Sequence, residues 1–105
     1  MTCIAVVTTV GSREQAQLLA QDLVERRLAA CAQISEIDSY YVWHGAVQHE
    51  PEWRVLFKTT ADRYDDVESA IRKLHTYELP AIHAYLFART SDPYGAWIAA
   101  NSTGL

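Results

Sequence analysis

Apolar positions along this chain switch between an extended spacing and a helical one, and the switches mark its elements. Residues 2–10 are a β-branched apolar run of strand length, consistent with a buried central strand. Gly11 ends it. Ser12 is placed to cap a helix, with Gln15 completing a capping-box spacing. Ala16, Leu19, Ala20, Leu23 and Val24 then recur at helical spacing among Arg, Glu and Gln, which predicts an amphipathic helix. Residues 29–41 form a second extended run. It sets Cys31, Gln33, Ser35, Ile37 and Ser39 on one face and Ala32, Ile34, Glu36 and Asp38 on the other. The run continues through Tyr40, Tyr41, Val42 and Trp43 to His44-Gly45, a tight turn because Gly supplies positive φ. Residues 46–60 return as a third strand carrying Val47, Trp53, Val55, Phe57 and Lys58. Pro51 has no N–H for a ladder, so it predicts a bulge or an edge.

Residues 60–75 predict a second helix, with Tyr64, Val67, Ile71 and Leu74 as its apolar stripe. Pro80 keeps Leu79 out of helical geometry and introduces a fourth strand over residues 81–89. Asp92 as cap and Pro93 as first helical residue open a short terminal helix with Tyr94, Trp97 and Ile98 on its apolar face. The order β-α-β-β-α-β plus a helix predicts an α+β, ferredoxin-like sandwich. Its antiparallel sheet should run 4-1-3-2, with the helices of the repeat on one face, in a single domain of residues 1–105. Both arms of the long hairpin between the second and third strands exceed the usual strand of about 5–6 residues. A ribbon that long should protrude, and another copy of the chain is the economical cover for its aromatic edges.

Composition strengthens the expectation of an oligomer. With 105 residues the core is small, yet there are three Trp and six Tyr, so several rings should lie at subunit contacts or in a pocket. Net charge is −4 and the basic residues do not cluster. Arg26-Arg27 and Arg72-Lys73 fall late in predicted helices, where cations complement the helix dipole, so no nucleic-acid partner is expected. No signal-peptide pattern appears, and no apolar stretch approaches the roughly 20 residues of a membrane helix. A cytoplasmic protein without a membrane partner is therefore expected, with Cys3 and Cys31 as reduced thiols on strands that are not neighbours.

The histidines, His44, His49, His75 and His83, have no spacing that preorganises a closed zinc site. The stretch His75-Thr76-Tyr77-Glu78-Leu79-Pro80 carries the most chemistry. His75 could bind a transition metal or act as an acid–base group, and Glu78 could ligate a cation or fix the His75 tautomer. Equally, His75 could cap the helix C-terminus with Glu78 simply exposed. Lys58 interrupts an apolar strand and, if half-buried, needs a carboxylate from Glu50, Glu52 or Glu78. Cys31, in a run of small residues, reads first as a small hydrophobe. No catalytic triad, phosphate-cradling Gly loop or nucleophile elbow is present, so no catalytic residue is assigned.

Several stretches carry a resemblance: Leu28-Ala29-Ala30-Cys31-Ala32-Gln33-Ile34, Ser39-Tyr40-Tyr41-Val42-Trp43-His44-Gly45, Glu52 followed by Leu56-Phe57-Lys58-Thr59-Thr60, His75-x-Tyr77-Glu78-x-Pro80, and Tyr94-x-x-Trp97. In this order they resemble the motifs of the CutA family of divalent-cation tolerance proteins. The resemblance implies a cytoplasmic, non-enzymatic homotrimer whose strands continue into neighbouring subunits and which responds to copper and other divalent metals. It implies that Cys31, Lys58, His75, Tyr77 and Glu78 gather with Trp43 and Glu52 in a cleft between subunits, with His75 and Glu78 as metal ligands. No cofactor is obligatory; a divalent cation (copper or zinc) or a small anionic metabolite is the expected ligand. Gln33 stands where Asn is usual and Thr76 where Pro is usual. Thr8 replaces a Cys that some relatives carry, and a hydroxyl is a poor substitute for a soft thiolate toward copper. The alternative is a signalling trimer, similar in architecture to nitrogen-regulatory trimers, that binds a metabolite or protein partner. An enzyme using Cys31, Lys58 or His75 rests on fold analogy alone.

Overall fold

A computed structural model describes residues 1–104 and gives a four-stranded sheet with three α-helices. Strand β1 (Cys3–Val10) is buried along nearly its whole length. Helix α1 (Arg13–Glu25) follows at once, capped by Ser12, whose hydroxyl accepts from the Gln15 N–H at 3.2 Å. The reciprocal half of the box is missing, because the Gln15 side-chain oxygen instead accepts from the Thr76 hydroxyl. After Arg27, held at positive φ, the chain enters β2 (Cys31–Trp43) and turns back into β3 (Ala46–Thr60). Helix α2 (Tyr64–Leu74), β4 (Ile82–Leu86) and α3 (Asp92–Ala100) complete the order.

All strand pairs are antiparallel and the sheet order is β2-β3-β1-β4, the expected split arrangement. Val6, Phe57, Leu19, Leu23, Val67 and Ile71 join the sheet to α1 and α2 in one core. Helix α3 covers part of the opposite face, where Ile98 packs with Cys3 and Ala30. Both cysteines are free thiols. Among the described residues no helix is long and apolar enough to cross a membrane.

Three boundaries differ from the sequence pattern. Thr60 stays extended opposite Cys3, so a 3₁₀ turn over Ala61–Arg63 precedes α2. β4 is shorter than residues 81–89, its pairing with β1 running from Ile82 to Leu86. The α3 cap is Ser91, whose hydroxyl accepts from the Tyr94 N–H, while Asp92 and Pro93 sit inside the first turn, where a missing N–H costs nothing.

The hairpin is what positions the site. Its register runs unbroken from Cys31 opposite Lys58 to Trp43 opposite Ala46, with His44 (φ 49°) and Gly45 (φ 77°) making a two-residue turn of the primed type. Pro51 sits opposite Asp38 without a bulge. It falls on the outer half of β3, because β1 pairs only with Trp53–Thr60. Residues 46–52 therefore have β2 as their one neighbour and project as a ribbon, and the molecule measures 45 × 26 × 21 Å.

Thr8 is buried on the helix-facing side of β1, beside Val55 and Ile82 in register, and its hydroxyl has no hydrogen-bond partner among the described residues. A buried orphan hydroxyl is a net cost. Thr8→Val, which keeps the shape, is expected to stabilise the fold by about 1 kcal/mol, read as a rise in the urea midpoint.

Candidate functional site

Helix α2 stops at His75, whose backbone turns to extended geometry and aims the following loop across the end of β1. The His75 ring spans that junction. Nε2 lies 2.9 Å from the Thr9 carbonyl and Nδ1 is 3.1 Å from the Tyr77 N–H. A carbonyl only accepts and a backbone N–H only donates, so Nε2 carries the proton and Nδ1 is bare. The neutral tautomer is thereby fixed. Burial lowers the His75 pKa, against the opposing pull of the Thr9 carbonyl and the Glu52 charge. The imidazole is thus spent on the backbone of β1 and of its own loop. The Nδ1 lone pair is engaged by the Tyr77 N–H, and His75 is the C-cap residue of α2, its backbone N–H donating to the Ile71 carbonyl at 2.9 Å.

This hold on the loop places Tyr77 against the sheet. The Tyr77 hydroxyl donates to Glu52 Oε2 at 2.7 Å, and burial together with that carboxylate raises its pKa above the usual phenol range. Gly11 lies so close to the Tyr77 hydroxyl that a Cβ there would approach it to 3.2 Å. Nearer the hairpin tip, the Tyr41 hydroxyl donates to Glu50 Oε2 at 3.1 Å. Glu50 and Glu52 are two apart on β3, hence on one face, and each is oriented by a phenol.

Between the hairpin and the loop after His75 lies an open cleft of about 960 Å³. Glu50, Glu52 and Glu78 bring three carboxylates to its lining, against one guanidinium from Arg54, while the Asp38 carboxylate pairs with His49 on the other face of the ribbon. Tyr41, Trp43 and Tyr77 supply aromatic surface, while the Tyr40 ring stacks on His49 on the other face of the ribbon.

Glu52, Tyr77 and Glu78 therefore line one cleft with Trp43 at its end near the hairpin tip, opposite Ala46, and His75 positions the loop behind it. Cys31 and Lys58 stand apart, opposite one another at the far end of the hairpin. Six residues of strand separate Lys58 from Glu52, about 20 Å. The Lys58 ammonium instead donates to the Tyr94 hydroxyl at 3.0 Å, so its partner is a phenol of α3 and not a carboxylate. That bond raises the Lys58 pKa. Thr8 faces the core, away from the cleft, while its neighbour Thr9 lines it. Among the described residues no three His, Cys, Asp or Glu side chains are arranged to hold a metal ion. Sequence reasoning missed Tyr41, Glu50 and Arg54 as cleft residues. The signal was available: once the turn is set at His44-Gly45, Glu50 and Arg54 share the face of Glu52 and Tyr41 lies diagonally across from Glu50.

This split β-α-β sheet with its long central hairpin superposes on divalent-cation tolerance proteins of known structure. The protein from Archaeoglobus fulgidus, described as a periplasmic divalent cation tolerance protein CutA, superposes with a TM-score of 0.93 at 28% identity. That match covers 95% of this chain and 98% of the other. CutA from Synechococcus elongatus gives 0.93 at 34% identity, covering 97% and 91%. The divalent-cation tolerance protein CutA of Thermotoga maritima is 36% identical over 95 residues, 90% of this chain and 94% of that protein. Residues 4–101 match the CutA1 divalent ion tolerance protein family, and the chain belongs to it.

Proposed function

We propose that this chain works as a cytoplasmic, non-enzymatic homotrimer in the tolerance of copper and other divalent cations, with cationic ligands held weakly in the cleft beside Glu52 and Glu78. The observation that carries this reading is the charge of the cleft: three carboxylates, Glu50, Glu52 and Glu78, face one guanidinium, in a protein family named for divalent ions. The aromatic lining and the loop that Tyr77 anchors make the cleft a formed feature and not a flat acidic surface. Assembly is supported by the ribbon. Residues 46–52 have a neighbouring strand on one side only, and Tyr40, Val42 and Val47 on it are each about 70% exposed, as is Leu86 on the opposite edge of the sheet. Open edges with apolar side chains call for cover by another chain.

A cation in the cleft would be held by carboxylates, with His75 acting through the loop it positions. Titration calorimetry with Cu²⁺ and Zn²⁺ on the wild type and on a Glu52→Gln, Glu78→Gln double variant tests this. Affinity is expected to fall about tenfold or more, the loss of roughly 1.4 kcal/mol or greater, when both charges go. Equal affinity in the two proteins would remove the cleft from the function. Sedimentation equilibrium on the same samples should give three times the 11.8 kDa chain mass. A signalling trimer binding an anionic metabolite is the less favoured reading, since an anion entering this cleft meets two more negative groups than positive ones.

A further inference from the structure

Helix α3 lies on the face of the sheet away from α1 and α2, and little in the helix itself keeps it there. Its nine residues are fewer than the roughly 12–15 at which a helix becomes marginally stable alone. Its apolar anchor is Ile98, which packs with Cys3 and Ala30 in a small cluster separate from the main core. The Tyr94 and Trp97 rings stack on each other and stay partly exposed. Among the described residues, a single side-chain hydrogen bond, from Lys58 to Tyr94, ties the helix to the sheet.

The chain beyond α3 supplies the missing hold. The Ser102 hydroxyl, in a residue 2% exposed, donates to the Ile98 carbonyl at 2.7 Å. Residues 101–104 then reach the turn between α1 and β2. There the Gly104 N–H donates to the Arg27 carbonyl at 3.0 Å, and the Gly104 carbonyl accepts from the Arg63 guanidinium. The Arg63 side chain is only 14% exposed and also meets Asp66 at 3.4 Å. A guanidinium so withdrawn from water needs both acceptors, and departure of Gly104 would remove one. The fit admits no side chain at position 104. A Cβ there would lie 1.9 Å from the Arg26 carbonyl oxygen and 2.6 Å from the Arg27 Cβ. Arg27 is already held at φ 59°, costly for a residue with a Cβ, so the turn is strained before any bulk is added. We infer that residues 101–104 are a latch, fastened at Gly104, that keeps α3 closed as a flap over Cys3. Elements held by a small separate cluster are those that open locally. Open, the flap bares the Cys3 thiol and parts Tyr94 from Lys58, while the core between the sheet and helices α1 and α2 stays folded. Cys3 is 5% exposed when the flap is closed, so its thiol reports the opening.

Labelling of Cys3 by iodoacetamide, in the full chain carrying Cys31→Ser and at low urea concentrations, tests the proposal. Gly104→Val is expected to speed labelling about tenfold or more, with the urea midpoint of the core little changed. Arg63→Gln should speed it several-fold, whereas Asp66→Asn, which leaves Gly104 held, should not. The rates should depend weakly on urea, because a short flap exposes little surface when it opens. Labelling unchanged in both Gly104→Val and Arg63→Gln would overturn the proposal. So would a urea dependence equal to that of global unfolding, since Cys3 would then be reached only through the unfolded chain. Equal acceleration by Asp66→Asn would place the effect in α2 and remove the latch. If labelling quickens only where sedimentation shows a lower assembly mass, the cover is a neighbouring subunit and the proposal fails.

Discussion

Phe57→Ala is expected to lower the unfolding free energy by about 4 kcal/mol. Phe57 is fully buried in β3, with Val6 and Ala32 opposite it on the two flanking strands and Leu19, Leu23, Val67 and Ile71 in the same core. Removing the ring forfeits its transfer free energy and leaves a void. The surrounding branched side chains cannot readily collapse into it, because the strand spacing is set by backbone hydrogen bonds on both sides of β3. Urea unfolding at fixed protein concentration measures the effect; concentration must be fixed because assembly adds to apparent stability. A loss below about 2 kcal/mol would mean that the core relaxes around the site. The ring points to the helices while Glu50, Glu52 and Arg54 alternate to the other face, so ligand affinity of the folded variant should change little.

His75→Ala is the second large effect, with an expected cost of about 2 kcal/mol. The imidazole satisfies the Thr9 carbonyl and the Tyr77 N–H together, groups that lie 66 and two residues away from it in sequence. Deleting it orphans both and frees the loop that carries Tyr77 to Glu52. The effect should depend on pH. Protonation fills Nδ1 and turns the acceptor for the Tyr77 N–H into a donor. Because the folded-state pKa lies below the ordinary 6.5, this group's stabilisation is complete above about pH 6.5 and fades as pH falls through the lower folded value. Thermal melts at successive pH values should therefore show the gap between wild type and His75→Ala narrowing below pH 6.5. A gap that widens with acidity would mean that the ring is held in its protonated form.

Much of the fold was legible because it is local or periodic. The run in β1, the cap at Ser12 and the turn at His44-Gly45 each follow from neighbouring residues, and the turn fixes the whole register of the hairpin. Pro51 was legible as an edge residue, and the register shows that it needs no bulge. The first turn of the second helix and the cap of the third were misplaced by a few residues. There, strand pairing held Thr60 extended, and Ser91 outcompeted Asp92 for the cap.

The candidate cleft was legible only in part: Cys31 and Lys58 lie at the far end of the hairpin, and Tyr41, Glu50 and Arg54 were missed. The family motifs brought Trp43, Glu52, Tyr77 and Glu78 together. That His75 spends its ring on Thr9, and that Lys58 reaches Tyr94 across 36 positions, depends on packing between elements distant in sequence. A histidine beside a glutamate in a loop has the appearance of a ligand pair, and here the ring is hydrogen-bonded to the Thr9 carbonyl and the Tyr77 N–H.

The central claim is that the cleft beside Glu52 receives a cationic ligand in the assembled protein. Its most direct test is a crystal structure of the oligomer grown with a cationic ligand present. Three chains packed through their ribbons are expected, with ligand density within hydrogen-bonding or coordination distance of the Glu52 carboxylate. An arginine or lysine of a neighbouring subunit paired with Glu52, and a cleft filled by that subunit, would contradict it.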